Sequence, residues 1–398
     1  MSSLTGKSLN PVMNRRSVIA SAAGLGAMSI LAGCSSNGGD SGSASSDASF
    51  KIGTIGPLTG ANASYGKSVT QGVELGCKDF STKELPLASK AEDDQADGEK
   101  AVNAFNTLLD WGMQALVGPT TTGASVAVAA ECGNDPKTFM ITPSASSEDV
   151  TDGKDCVFQV CFTDPNQGVG AADYMAENFA DAKIAIIYRN DDAYSQGIRD
   201  TFVKEATDKG MAVVYEGTFT NDSATDFSVQ LAGAQTAGAN LVFMPIYYQP
   251  ASIVLAQAKA MGYAPTFFGV DGMDGILTME GFDPSLAEGL MLLTPFAADA
   301  QDEKTQAFVS AYKEAYGDTP NQFAADAYDV VYAIYQAAVA GGINGDMDAS
   351  DVCDALKAQF TSMTFDGLTG DGMTWDASGA VSKAPKAVVI KDGAYAAM

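Results

Sequence analysis

Two loops of small hydroxylated residues carry the clearest binding chemistry in this 398-residue chain: Gly118-Pro119-Thr120-Thr121-Thr122-Gly123-Ala124-Ser125 and Ile141-Thr142-Pro143-Ser144-Ala145-Ser146. Each follows a compact apolar run of strand length, and the residues beyond it read as a helix start. Unpaired backbone N–H groups at a helix start, joined by Ser and Thr hydroxyls, suit a carboxylate. Taken singly, either loop is better explained by helix capping. Catalysis has less to work with. The chain contains no histidine, which removes Ser-His-Asp triads, Cys-His pairs and His-ligated zinc. The pair Asp93-Asp94 has the residue types for acid and base, but adjacent strand residues point to opposite faces, and no enzyme is expected.

The elements that must hold these loops follow from periodicity. Strands are predicted at Lys51–Ile55, Leu87–Ala91, Ala115–Val117, Thr138–Ile141, Lys183–Tyr188, Ala212–Glu216, Leu241–Pro245 and Thr266–Phe268. Helices fall between them at Gly66–Phe80, Glu99–Trp111, Ala124–Cys132, Gln167–Phe179, Tyr194–Lys209, Phe227–Ala237 and Ala251–Met261. This alternation implies parallel sheets with helices on both faces. In such sheets ligands bind beyond the carboxyl ends of the strands, where both hydroxylated loops and Glu92-Asp93-Asp94-Gln95 lie.

The order of the motifs adds a resemblance. Ile55–Gly60, Tyr65-Gly66, Glu92–Gln95, Val117-Gly118-Pro119, Ile141–Ser146, Cys161–Pro165, Tyr194 before a helix, Asp226-Phe227-Ser228 and Asp271-Gly272 together resemble the branched-chain amino-acid-binding proteins of ATP-driven uptake systems. The likeness runs from Phe50 to Tyr395. It implies the type I periplasmic binding fold, an α/β architecture of two doubly wound Rossmann-like lobes joined by a three-strand hinge. The lobes it implies are Phe50–Asp164 plus Pro295–Lys386, and Pro165–Thr294 plus residues 387–398.

The same resemblance assigns site residues. The family's contacts to an amino-acid carboxylate fall on Thr122 and on Ser144, Ala145 and Ser146. The partner of the α-ammonium falls on Asp271, as charge pairing requires for a buried cation. Tyr65, Tyr194 and Tyr247 match aromatic pocket walls, with Tyr248 able to take the place of Tyr247. Met273 stands where many relatives carry Trp. The implied role is a non-enzymatic protein that captures a branched-chain or other hydrophobic amino acid and delivers it to a membrane permease with a cytoplasmic ATPase. A sensory module of the same fold, or a binder of amides or aromatic acids, remains the alternative. A monomer with no cofactor is expected.

The start of the chain bears on location. Asn14-Arg15-Arg16, the apolar run Val18–Ile30 and Leu31-Ala32-Gly33-Cys34 have the parts of an export signal. Leu31–Cys34 resembles the lipobox of bacterial lipoproteins, so residues 1–33 are expected to be removed and Cys34 lipidated. Residues 34–49, rich in Ser, Gly and Asp, read as a flexible tether. Membrane contact is then expected through the lipid alone, with the protein outside the cytoplasm. The formal charge is −26, and the signal segment contributes Lys7, Arg15 and Arg16 but no acid. That argues against nucleic acid as a partner.

No metal site is expected. Asn344–Ser350 has alternate oxygen ligands like the start of an EF-hand loop, but Ala349 and Ala355 stand where Gly and Glu are needed, and capping of the helix Asp351–Phe360 accounts for it. Besides Cys34 there are five cysteines, which cannot all pair internally. Cys77 and Cys161 are expected as buried free thiols.

Overall fold

The structure, a computed structural model, describes residues 48–398. The signal segment, Cys34 and nearly all of the tether lie outside the described residues.

Strand β1 (Phe50–Gly56) is followed by α1 (Ala63–Phe80), β2 (Leu87–Asp93), α2 (Gly98–Trp111), β3 (Ala115–Val117), α3 (Thr122–Ala129), β4 (Phe139–Thr142) and β5 (Val157–Gln159). These five strands form one parallel sheet in the order β2-β1-β3-β4-β5. Next come α4 (Asp164–Asn178), β6 (Lys183–Arg189), α5 (Ala193–Asp208), β7 (Ala212–Phe219), α6 (Ser228–Thr236), β8 (Leu241–Met244), α7 (Tyr248–Met261), β9 (Thr266–Gly269) and β10 (Met291–Thr294). Three further helices, α8 (Glu303–Tyr316), α9 (Gln322–Gly341) and α10 (Ala349–Phe360), precede the terminal strands β11 (Lys386–Lys391) and β12 (Ala394–Ala397). The second sheet runs β12-β11-β10-β9-β8-β6-β7. Its last two strands are antiparallel, and the rest are parallel. The α/β architecture of doubly wound sheets is the one the alternation predicts.

Boundaries move where local chemistry overrides periodicity. Helix α3 starts at Thr122, two residues ahead of the expected Ala124, because Thr121 takes the extended cap conformation (φ −92°, ψ 149°). Helix α7 starts at Tyr248 with Pro250 in its first turn, where the missing N–H costs nothing. Helices α8 and α9 were not among the predicted elements. Residues of α9 are buried along nearly its whole length, so it shows no polar face from which a period could be read.

Helix α9 lies against α1, returning the chain to the first sheet. Gly72 permits that approach, since a Cβ there would stand 2.3 Å from the Ala324 carbonyl oxygen. Helix α8 joins the same side through Phe308 and Tyr312, which cluster with Leu75 of α1. Trp375 donates its Nε1–H to the Gln159 carbonyl at 2.7 Å, fastening the segment after α10 to the end of β5. Among the described residues no helix is long and apolar enough to cross a membrane. Cys77, Cys132, Cys156, Cys161 and Cys353 are all buried free thiols.

Candidate functional site

A small cavity lies where the carboxyl ends of strands from both sheets meet. It is lined by Thr120, Thr121, Thr122 and Ser144 on the side of the first sheet, and by Tyr194, Tyr247, Asp271 and Gly272 on the side of the second. Tyr65 of α1 and Phe323 of α9 complete the wall. Its volume is about 10 Å³, room for about one water molecule.

The side of the first sheet supplies hydroxyls. Thr121 and Thr122 stand at the start of α3, and the Oγ1 atom of each is buried without a hydrogen-bond partner among the described residues. Buried hydroxyls are normally paired, so two together facing one cavity mark a polar ligand position. Helix α3 adds its positive end.

The side of the second sheet supplies a carboxylate. Asp271 opens a single 3₁₀ turn after β9 and is 3% exposed. Its Oδ1 accepts the Tyr194 O–H at 2.6 Å. The Tyr194 oxygen in turn accepts the Gly272 N–H at 2.9 Å. Gln167 accepts the Asp271 N–H at 3.2 Å, and Gln322 donates to the Asp271 carbonyl at 2.9 Å. Burial pushes the Asp271 carboxyl up to about 7, against the hydrogen bond from Tyr194. No lysine or arginine lines the cavity. A buried carboxylate with one hydroxyl donor and no cation is under-compensated, and an ammonium group would complete it.

Aromatic rings fill the rest. Tyr247 stacks on Tyr194 with centroids 4.8 Å apart. Tyr65 meets Tyr247, Tyr248 and Phe323 edge-on at 5.6, 4.8 and 4.7 Å. Its hydroxyl donates to the Gly272 carbonyl and accepts the Tyr248 N–H at 3.2 Å, tying α1 to both loops. Burial holds the Tyr65, Tyr194 and Tyr247 hydroxyls well above the usual tyrosine range, and the nearby Asp271 adds to it. Gly272 has no space for a side chain, since a Cβ there would lie 2.5 Å from the Tyr194 hydroxyl.

A family model described as a periplasmic binding protein matches residues 49–394. The chain belongs to the periplasmic binding protein family. Among curated proteins, this periplasmic binding protein is 29% identical over 330 residues to the leucine-, isoleucine-, valine-, threonine- and alanine-binding protein of Pseudomonas aeruginosa, covering 81% of this chain and 84% of that one. Among solved structures it is similar to the branched-chain amino acid transporter substrate-binding protein LivJ of Streptococcus pneumoniae in complex with isoleucine, with a TM-score of 0.78, 25% identity, and coverage of 88% and 98%. A benzoate-bound solute-binding protein of an ABC transporter from R. palustris has the same TM-score of 0.78 at 20% identity, covering 88% of this chain and 95% of that one, and shows the shared fold alone.

Of the nine residues that sequence places in the site, Tyr65, Thr122, Ser144, Tyr194, Tyr247 and Asp271 line the cavity. Three do not. The Ala145 N–H is taken by Thr142 Oγ1 at 2.9 Å. Ser146 is fully buried and reaches Asp271 only through Gln167, whose Nε2 lies 3.4 Å from the Ser146 hydroxyl. Met273 sits in the hydrophobic core with its sulfur against Gly269, because the 3₁₀ turn carries it away from Asp271. Tyr247 rather than Tyr248 is the lining residue. The Tyr248 hydroxyl donates to the Ala61 carbonyl at 2.9 Å, outside the cavity.

Thr120, Thr121, Gly272 and Phe323 were missed. The first three already stand inside the motifs Gly118–Ser125 and Asp271-Gly272 read from the sequence, without having been assigned to the site, whereas Phe323 arrives on a helix with no local signal. The acidic pair serves as a staple. Asp93 accepts from the Leu58 N–H at 2.8 Å and Thr59 O–H at 2.5 Å, and Asp94 accepts the Ala96 N–H at 2.9 Å. In the EF-hand-like segment, Asn344 accepts the Asp346 N–H at 3.0 Å and Asp348 sits at the N-cap of α10.

Proposed function

We propose that this periplasmic binding protein captures an α-amino acid, of branched-chain or other hydrophobic type, between its two sheets and delivers it to an ABC permease. Asp271 carries the reading. It is buried, lacks a cationic partner among the described residues, and faces unpaired Thr121 and Thr122 hydroxyls at a helix start. An α-amino acid supplies an ammonium for the first and a carboxylate for the second. The aromatic walls suit an apolar side chain.

The lobes in this reading are 50–164 plus 295–386 and 165–294 plus 387–398. They part to admit the ligand, because a cavity the size of one water cannot take an amino acid as it stands. Tyr65 is the latch to release, since its hydroxyl joins α1 to Gly272 and Tyr248. The ligand then favours the closed form, which is the form that docks on the permease. Cys34 is the lipid anchor of an extracytoplasmic monomer.

The test is thermal melting of the chain freed of residues 1–34, stripped of bound ligand, against the twenty amino acids and a set of amides and aromatic acids. A ligand at about 100 times its dissociation constant adds roughly 2.7 kcal/mol. Shifts confined to aliphatic or aromatic amino acids are expected. A shift from benzoates or amides alone would overturn the head-group assignment.

A further inference from the structure

We infer that Cys156 and Cys353 are a disulfide-forming pair, which a disulfide oxidant closes into a covalent link between helix α10 and the start of strand β5. The inference uses no residue of the amino-acid site.

Five thiols are buried among the described residues, and their surroundings divide them. Cys132 and Cys161 donate to main-chain carbonyls, those of Val128 at 3.4 Å and Ala145 at 3.3 Å. Cys77 lies beside Ser89. Cys156 and Cys353, 2% and 0% exposed, have each other as side-chain partners. About half of the chain's length separates these two in sequence. Cys132 also stands near Cys156 and is the rival partner, but its sulfur is turned to the Val128 carbonyl and to the Met140 sulfur at 3.7 Å.

Contacts on both sides of the pair hold it face to face. Cys156 directly precedes β5, and its carbonyl accepts the Met140 N–H of β4 at 3.0 Å. Cys353 lies in α10, on the face it shares with Lys357 one turn later. Lys357 pairs with Asp155, the neighbour of Cys156. Asp354, the neighbour of Cys353, pairs with Lys137 at 3.4 Å, and the Lys137 N–H donates to Ser350 Oγ at 2.9 Å. Two turns beyond Cys353, Phe360 packs on Phe139 and Phe158 with centroids 4.9 and 5.7 Å apart. The fold thus brings the two sulfurs together with no bond between them, and facing side chains are what a disulfide demands.

The Cys353 thiol, helped by Lys137, holds the Cys156 thiol below its ordinary range, while Cys353 itself is pushed up. The thiolate is the nucleophile in disulfide exchange, so Cys156 attacks first. Its sulfur bonds to one sulfur of the oxidant disulfide and expels the other as a thiolate. Cys353 then loses its proton, and its sulfur bonds to Cys156 while displacing the remaining half of the oxidant. Two protein thiols are oxidised to one disulfide, and the oxidant is reduced to two thiols. An oxidant cannot reach these sulfurs once α10 is packed. The exchange therefore belongs to folding, before α10 closes over β4 and β5, and native packing selects the partner. The pairing is a property of the chain, and its occurrence in the cell rests on the extracytoplasmic reading, since exported proteins meet such oxidants.

In the experiment, the chain freed of residues 1–34 is unfolded in urea with dithiothreitol. It is then refolded either in a mixture of oxidised and reduced glutathione or in dithiothreitol, alkylated in denaturant and mapped by peptide mass. After oxidative refolding, three of the five thiols are expected to alkylate, with one cross-linked peptide pair joining Cys156 to Cys353. The oxidised form should melt several degrees above the reduced one. Cys353→Ala should abolish that difference, and Cys132→Ser should keep it. Five free thiols after oxidative refolding, a link through Cys132, or a mixed disulfide with glutathione in place of the pair would each overturn the inference. So would equal melting temperatures with the pair closed. Should Cys353→Ala fail to fold, the mapping of the wild type decides.

Discussion

Two groups of buried carboxylates in this periplasmic binding protein have opposite fates. In the segment leading to β11, Lys383 donates to Asp326 Oδ1 at 2.5 Å and to Thr369 Oγ1 at 2.6 Å. Asp329 accepts the Leu368 N–H, the Thr369 N–H and the Thr369 hydroxyl at 2.8, 2.9 and 2.7 Å. Every charge there finds its partner inside the chain. In the cleft, Asp271 is equally buried but accepts one side-chain hydroxyl and meets no cation. Desolvation costs both groups, and only the first has the compensation that a buried charge requires. The completed network holds the chain path, and the incomplete one is suited to a ligand.

The largest effect is expected from breaking the completed network. Lys383→Met leaves Asp326 buried without its cation and should cost roughly 3–5 kcal/mol of stability, read by urea unfolding at neutral pH. A change within experimental error would mean that the network contributes little.

Asp271→Asn should reverse that pattern. Amino-acid affinity is expected to fall at least about tenfold, while the ligand-free melting temperature is unchanged or rises. Equal affinity in a titration would remove Asp271 from the site.

The pH dependence sharpens the contrast. The Asp271 carboxyl is pushed up to about 7 in the folded chain and titrates near its ordinary value of about 4 when unfolded. Between those values the folded state holds a proton that the unfolded state has released. Stability therefore falls as pH rises across the window, and the full penalty stands above about pH 7. Asp271→Asn lacks this term, so its advantage in melting temperature should grow from nothing near pH 4 to a plateau near pH 8. A constant difference across the range would show that the carboxyl titrates normally.

The last effect belongs to the latch. Tyr65→Phe loses the bonds to Gly272 and Tyr248, worth about 1 kcal/mol each. The ligand-free protein should become more open by small-angle scattering. An unchanged radius of gyration would place the latch elsewhere.

How far the sequence could be read follows from where each signal resides. Strand β3 at Ala115–Val117 is a local matter of an apolar run and was legible, whereas the start of α3 was read two residues late because the cap at Thr121 overrides periodicity. Tyr194 and Asp271, which the order of motifs singled out, both line the cavity. Met273 lies outside the cavity because a tight 3₁₀ geometry after Val270-Asp271-Gly272, which the sequence does not show, sends its side chain into the core. Ala145 also lies outside it, its N–H claimed by Thr142 in a contact that depends on how the loop closes. Phe323 reaches the cavity only through the packing of α9 on α1, whose partners are separated by some 250 residues (Gly72 and Ala324), and no local pattern reports that.

The most direct test of Asp271 as the ammonium partner is the proton count on binding. Titrating the best amino acid near pH 6, in two buffers of different ionisation enthalpy, measures it. An ammonium seated against Asp271 requires the ionised carboxylate, so the wild type should release close to one proton per ligand, and Asp271→Asn should release none. Binding without proton release in the wild type, or the same release from the variant, would contradict the assignment.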